Sequence, residues 1–310
     1  MHLALTLNPF VDTDLLYAQQ LGVNWIVADV PAWDHATLAA AHNRVTKAGL
    51  QLAGLGSLPA ELVAQALAVH HEDGGAVERI CRILADAGEV GIPCVSYRWA
   101  SDGVPDATGE VQVRGGATSA VYRLQQAGAT PGSSRDAAWE RLTSFLQQVL
   151  PVAESAGVRL AYRTELVSGA SGEDLGIFDG VDELDRLFAV VGSPYHGLDL
   201  DHGWVTQVLS PRAGRSPEEI IGHLGRRGRI FAVRLRSLRM TDQGAQEVFP
   251  DEDRVATLRA LQAYREVPFD GPLCPMPAPA MTDDTALRHK GVAFSIGYLR
   301  ALLQALGHHP

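Results

Sequence analysis

Along the chain, short apolar runs rich in β-branched residues alternate with longer stretches whose apolar positions recur at helical spacing. The first pattern suits strands buried on both faces, and the second suits helices that bury one stripe. Their alternation describes βαβ units around a parallel sheet. It predicts strands at 3–7, 24–28, 50–55, 94–97, 158–162, 196–200, 230–235 and 272–274. Helices are expected near 12–21, 35–48, 73–88, 135–155, 180–191, 217–226, 252–266 and 288–306. Eight such repeats close a barrel, so the expected α/β architecture is one (β/α)8 domain over residues 1–310.

Local signals agree with this reading. Asp12, Asp34 and Ser216 stand where helices should start, and Pro217 suits a first helical position. The phrase Lys47-Ala48-Gly49-Leu50-Gln51-Leu52-Ala53 is echoed by Ser155-Ala156-Gly157-Val158-Arg159-Leu160-Ala161. In both, glycine is expected to end a helix in a left-handed conformation before a buried strand begins. The segment 99–134 is rich in Gly, Ala, Thr and Ser and reads as a long lid-like loop after the fourth strand.

Composition narrows the function classes. A net charge of −10 without a Lys/Arg run argues against a nucleic-acid or anionic-membrane surface. No apolar stretch approaches the roughly 20 residues a membrane helix needs, and MHLALTLNPF lacks the basic and apolar regions of a signal peptide. Cys81, Cys94 and Cys274 show no CxxC spacing and read as reduced thiols of a cytoplasmic protein. Gly54-x-Gly56 lacks the third glycine of a dinucleotide fingerprint. His70-His71-Glu72-Asp73 reads as a solvated corner, and His308-His309 as a disordered tail.

From about residue 77 onward the chain resembles the mannonate dehydratases. The phrases that carry the resemblance are Tyr97-Arg98-Trp99, Arg114-Gly115-Gly116-Ala117-Thr118, residues 150–161, residues 225–231, Phe269-Asp270-Gly271-Pro272-Leu273 and residues 293–299. The resemblance implies a TIM barrel of the xylose isomerase-like kind and loss of water from a sugar acid. It also implies a manganese- or magnesium-like cation held by two histidines, a cysteine and an aspartate at the ends of strands five to eight.

At those places the chain departs from the family. Arg163-Thr164-Glu165 stands where a His-Pro-Asp run is expected, and Leu200-Asp201-His202-Gly203 where Phe-Cys-Gln-Gly is expected. Arg234-Leu235-Arg236-Ser237 replaces His-Phe-Arg-Asn, keeping Arg236, and Met276-Pro277 replaces the Asp-His pair. Asp251 is kept, but Pro250 stands where a further histidine is expected. Arginine has no lone pair to donate and methionine is too soft for manganese, so no cofactor is expected.

Arg163 and Arg234, with Asp201 between them and a neutral Met276, leave a net charge of +1 in place of the dication. One reading makes these groups, with Glu165, an internal ion-pair plug. The other has the arginines, helped by Arg98, Arg114 and Arg236, hold a carboxylate or phosphate. A rebuilt catalytic set would draw on Tyr97, Arg114, Arg236 and His202, with Arg98, Arg163, Arg234 and Asp201 binding substrate. A rearranged metal site would draw on Glu165, Asp199, Asp201 and His202, since Asp199 and Asp201 share a strand face. The expected function is recognition of a sugar acid or similar small anion, with mannonate dehydration weak or lost. The alternative is an active sugar-acid lyase or isomerase. The expected partner is a small acidic metabolite rather than nucleic acid or membrane, and self-association is left open.

Overall fold

The computed structural model describes residues 1–7, 11–68, 75–98, 109–122, 135–165, 178, 180–276, 279–285 and 287–308. His70–Asp73, Trp99, Pro277 and His309 lie outside the described residues, as does most of 99–134.

The first half runs β1 (His2–Leu7), α1 (Asp12–Gln20), β2 (Trp25–Ala28), α2 (His35–Lys47), β3 (Gln51–Ser57), α3 (Ala60–Ala66), α4 (Gly75–Val90) and β4 (Cys94–Tyr97). Two short strands follow, β5 (Gly109–Gln112) and β6 (Thr118–Tyr122), then α5 (Arg135–Ser155), β7 (Arg159–Arg163), α6 (Val181–Ala189) and β8 (His196–Asp201). A helical stretch comes next, from α7 (His202–Trp204) through a π-helical turn to α8 (Ser210–Ala213), with α9 (Pro217–Arg226) behind it. The chain closes with β9 (Ile230–Leu235), β10 (Ser237–Thr241), β11 (Gly244–Val248), α10 (Arg254–Arg265), β12 (Pro272–Pro275) and α11 (His289–Ala305).

Eight strands form a closed parallel barrel in the order β1-β12-β9-β8-β7-β4-β3-β2. They coincide with the eight expected strands to within a residue or two at either end. Asp34 accepts the Thr37 N–H at 2.9 Å, and Ser216 and Glu219 form a reciprocal capping box. Gly49 (φ 70°) and Gly157 (φ 69°) adopt the left-handed turn at the two echoed corners. Asp12 does not cap: Val11 holds that position, and Asp12 pairs with Arg44 at 2.6 Å. The short helices α3, α7 and α8 were not expected, being too brief to show a period.

The segment expected as a loop carries the β5–β6 hairpin in its described part, with Arg114–Gly116 at its tip. A second hairpin, β10–β11, joins it in a four-stranded antiparallel sheet ordered β10-β11-β6-β5. Both hairpins leave the C-terminal ends of barrel strands, β4 and β9, so this accessory sheet stands on the functional face of the barrel.

Large apolar side chains pack between strands and helices, Trp139, Phe145, Leu142 and Leu84 among them. The barrel interior is built from small ones, with Ala4, Val27, Ala53 and Cys274 forming a separate cluster. His308 is anchored rather than loose, its Nε2 lying 2.7 Å from the Met1 carbonyl oxygen. Among the described residues no helix is long and apolar enough to cross a membrane.

Candidate functional site

Side chains alternate across each barrel strand, and at the C-terminal end the inward set is polar. From β4 comes Ser96, from β7 Arg163, from β8 Asp199 and from β9 Arg234. Asp199 is the hub. Its Oδ2 accepts Arg163 Nε at 2.8 Å and Ser96 Oγ at 3.1 Å, while its Oδ1 accepts Arg234 Nε at 3.1 Å. Burial alone would raise this carboxyl, but Arg234 and Arg163 outweigh it and hold it down at about 2. The same carboxylates act on Arg163: burial opposes its charge, yet Asp199, Glu165 and Asp29 keep its guanidinium firmly protonated.

Arg234 is saturated. Besides Asp199 it meets Glu165 Oε1 at 3.4 Å and donates Nη2 to the Thr164 carbonyl. Glu165 also accepts from Arg98. Arg163 differs: only its Nε is engaged among the described residues, and 14% of its side chain is exposed. The carboxylate between the arginines is therefore Asp199 and not Asp201, which the family's ligand positions had suggested.

Asp201 belongs to a second network. It pairs with Arg236 at 2.9 Å and accepts the Gly203 N–H at 2.8 Å, capping the turn into α7. Arg236 lies over the Tyr122 ring at 5.2 Å and reaches Glu247 Oε1 at 3.2 Å. Tyr122 donates to the same oxygen at 2.8 Å, and Arg288 stands 3.8 Å from Glu247. Burial pushes the Glu247 carboxyl above its ordinary value despite Arg236. This network is the joint between barrel and accessory sheet.

Two residues expected in catalysis, Tyr97 and His202, do not reach the mouth. Tyr97 is fully buried in the helix layer, its hydroxyl 2.9 Å from His196 Nε2 and its ring against Phe145. Because Ser96 faces inward, its neighbour Tyr97 must face outward. His202 is also buried, with Nδ1 3.2 Å from the Tyr264 hydroxyl, and burial drops its pKa to about 4. Arg114 lies on the accessory hairpin, paired with Asp251 at 2.6 Å and stacked 4.4 Å over Phe249.

The rearranged metal site is likewise dispersed. Asp199 and Glu165 are committed to arginines, Asp201 to Arg236 and the α7 cap, and His202 to Tyr264. Among the described residues no group of three or more His, Cys, Asp or Glu is arranged to hold a metal ion. The donor set does not fit the divalent cation that the resemblance implies, because guanidiniums occupy two ligand positions and would repel it.

Below the network the barrel is nearly filled. A cavity of about 20 Å³ lined by Thr6, Ala53, Cys94, Ser96 and Cys274 has room for a single water. Burial pushes both thiols up to about 12, so they are inert at neutral pH. Above Asp199, toward β1 and β2, Thr6 is exposed and Asp29 half-buried. A larger hollow of about 600 Å³ is lined by Trp33 of the β2–α2 loop and by Arg79 and Arg82 of α4, and gathers none of the expected site residues.

Asp29, Ser96, Tyr122 and Glu247 were not expected. Asp29 was findable, since it directly follows the second strand, much as Arg163 closes the fifth. Tyr122 and Glu247 had no such signal, because their hairpins do not read as strands.

Residues 15–285 match the xylose isomerase-like TIM barrel family. The mannonate dehydratase 2 of Halalkalibacterium halodurans is 28% identical over 145 residues, 46% of this chain and 41% of that protein. A mannonate dehydratase of Thermotoga neapolitana is 30% identical over 109 residues, 34% of this chain and 28% of its own length. The match thus spans less than half the length of these curated relatives. The crystal structure of mannonate dehydratase from Streptococcus suis serotype 2 shares the fold, with a TM-score of 0.81 at 19% identity, covering 100% of this chain and 95% of that one.

Proposed function

The chain belongs to the xylose isomerase-like TIM barrel family, and from that premise we propose that its mouth binds a sugar acid or similar small carboxylate through Arg163. Mannonate dehydration is weak or lost, and no divalent cation takes part. The observation that carries this reading is the unequal use of the two arginines. Arg234 has every nitrogen engaged, whereas Arg163 spends only Nε on Asp199 and keeps its Nη edge for a ligand. That edge is the planar fork suited to a carboxylate. The similarity to mannonate dehydratases supports a sugar acid as the class of ligand.

Loss of dehydration follows from the donor chemistry. Proton removal beside a carboxylate builds up enolate charge, and losing one strong electrostatic stabiliser typically slows a reaction about 100- to 1,000-fold. Here the cation's donors and the histidine expected beside them are replaced together. The bridging of Arg163 and Arg234 by Asp199 favours a second, purely structural reading in which the network is an internal plug.

Thermal melts decide between them. Mannonate or gluconate should raise the melting temperature, since a ligand at 100 times its Kd stabilises the fold by about 2.7 kcal/mol. The neutral parent sugars should not. Elemental analysis should find no stoichiometric manganese, zinc or iron, and chelator should leave the melt unmoved. A wild type indifferent to every acid would establish the plug. Release of a 2-keto-3-deoxy acid at about 10 per second would show an active lyase instead.

A further inference from the structure

We propose that Asp29 is the specificity-determining residue of the mouth, receiving a hydroxyl of a polyhydroxy monocarboxylate whose carboxylate lies on Arg163. The proposal rests on the reading of Arg163 above.

Asp29 directly follows β2. Val27, two positions earlier, lines the barrel cavity, so strand alternation aims the Asp29 side chain inward at the level of the mouth. Its place is shaped by the neighbouring strand. A Cβ at Gly56 of β3 would lie 1.6 Å from Asp29 Oδ1 and 2.8 Å from its Cγ. Only glycine leaves room for the carboxylate there, which gives Gly54-x-Gly56 a steric role in place of a nucleotide-binding one.

Asp29 faces Arg163 and Asp199 electrostatically. Burial holds its carboxyl above the ordinary value, Arg163 pulls it down and Asp199 pushes it up. Its backbone N–H bonds the Leu7 carbonyl at 3.0 Å, but its side chain has no hydrogen-bond partner among the described residues. Asp199, Glu165 and Asp201 each have theirs. A half-buried carboxyl that no protein donor engages is open to a donor from a ligand.

A hydroxyl is the group that suits it. It donates to a carboxylate and accepts from a carboxylic acid, so it satisfies Asp29 in either protonation state. Phosphate, whose charge approaches two negative units and would sit close to the carboxylate, would instead be repelled. The exposed Thr6 on β1, in register with Val27, offers a further polar contact on the same side. The ligand's carboxylate then points toward β7 and its hydroxyls toward β1 and β2.

Binding calorimetry on the full chain tests this with gluconate, hexanoate (equal in length without hydroxyls) and inorganic phosphate. The wild type should prefer gluconate to both. Asp29→Ala should weaken gluconate about tenfold or more while leaving hexanoate unchanged, with Asp29→Asn intermediate. Ligand-free melting of both variants should equal or exceed that of the wild type, because an unpartnered carboxyl is removed. Equal binding of hexanoate and gluconate by the wild type, or gluconate affinity unaltered in Asp29→Ala, would overturn the role of Asp29 and leave Arg163 standing. If the wild type binds no acid and Arg163→Met behaves like it, both readings fall together.

Discussion

Arg234 and Arg236 are separated by one residue yet anchor networks of different kinds. The inner network, Arg163–Asp199–Arg234–Glu165, lies at the barrel mouth and retains an unengaged guanidinium edge beside a half-buried Asp29. The outer one, Arg236–Asp201–Glu247–Tyr122, is sealed between barrel and accessory sheet, with Arg236 and Asp201 6% and 0% exposed. Both are rich in charge. Each leaves a guanidinium donor unengaged, but Arg236 Nε is buried within the joint, whereas the Arg163 side chain is 14% exposed, and that access is what separates the proposed binding site from the structural joint.

The largest expected effect tests the sealed network. Arg236→Met would take from buried Asp201 and Glu247 the guanidinium they share, leaving Glu247 only the more distant Arg288, and should lower unfolding free energy by about 3–5 kcal/mol in urea titrations. Acid binding by the surviving folded protein should be unchanged. A loss of under about 1 kcal/mol would erase the distinction between the networks.

Arg163→Met comes next. Asp199 keeps Arg234 and Ser96, so destabilisation should be nearer 1–2 kcal/mol, on the order of a lost charged hydrogen bond. The melting shift given by gluconate should vanish. Retention of that shift would move the anion site elsewhere.

Acidity should separate the networks by sign. The folded pKa of Asp199 lies below its ordinary 3.8, at about 2, so the stability it contributes is present above 3.8 and is lost as pH falls toward 2. The amount is on the order of 2 kcal/mol. Glu247 is raised above 4.5, so its contribution runs the other way, falling as pH rises from 4.5 through its folded value. Denaturant titrations across pH should show the low-pH loss shrink in Asp199→Asn and the higher-pH loss shrink in Glu247→Gln. Unchanged profiles would mean that neither carboxyl is perturbed as its surroundings dictate.

The smallest effect concerns Arg114, whose side chain is 44% exposed in its pair with Asp251. Arg114→Ala should change stability by no more than about 1 kcal/mol and leave acid binding intact. Abolished binding would extend the site onto the accessory sheet.

Much of the barrel was legible because each buried strand carries its own signal. Runs such as 230–233 are apolar on both faces whatever they pair with, and Gly49 and Gly157 mark two of the corners locally. The accessory sheet carries no such signal. Its strand Gly109–Gln112 is mostly exposed, and β6 meets β11 through the pairs Tyr122↔Ala245 and Val121↔Gln246, far apart in sequence. Tyr97 was misplaced for a simpler reason: alternation along Cys94–Tyr97 puts Ser96 inside and the tyrosine outside.

The sequence by itself determined the order of strands and helices and which side chains stand at the strand ends, since periodicity and residue identity are local properties. That arginines replace the expected metal ligands is therefore readable without coordinates. Only the tertiary structure decided that Asp199 rather than Asp201 joins Arg163 and Arg234. Both aspartates lie on one strand, but the partners of Asp199 come from β4, β7 and β9, brought within 2.8–3.1 Å by barrel closure. A carboxylate's role is set by the donors that converge on it, and convergence is a property of the closed sheet.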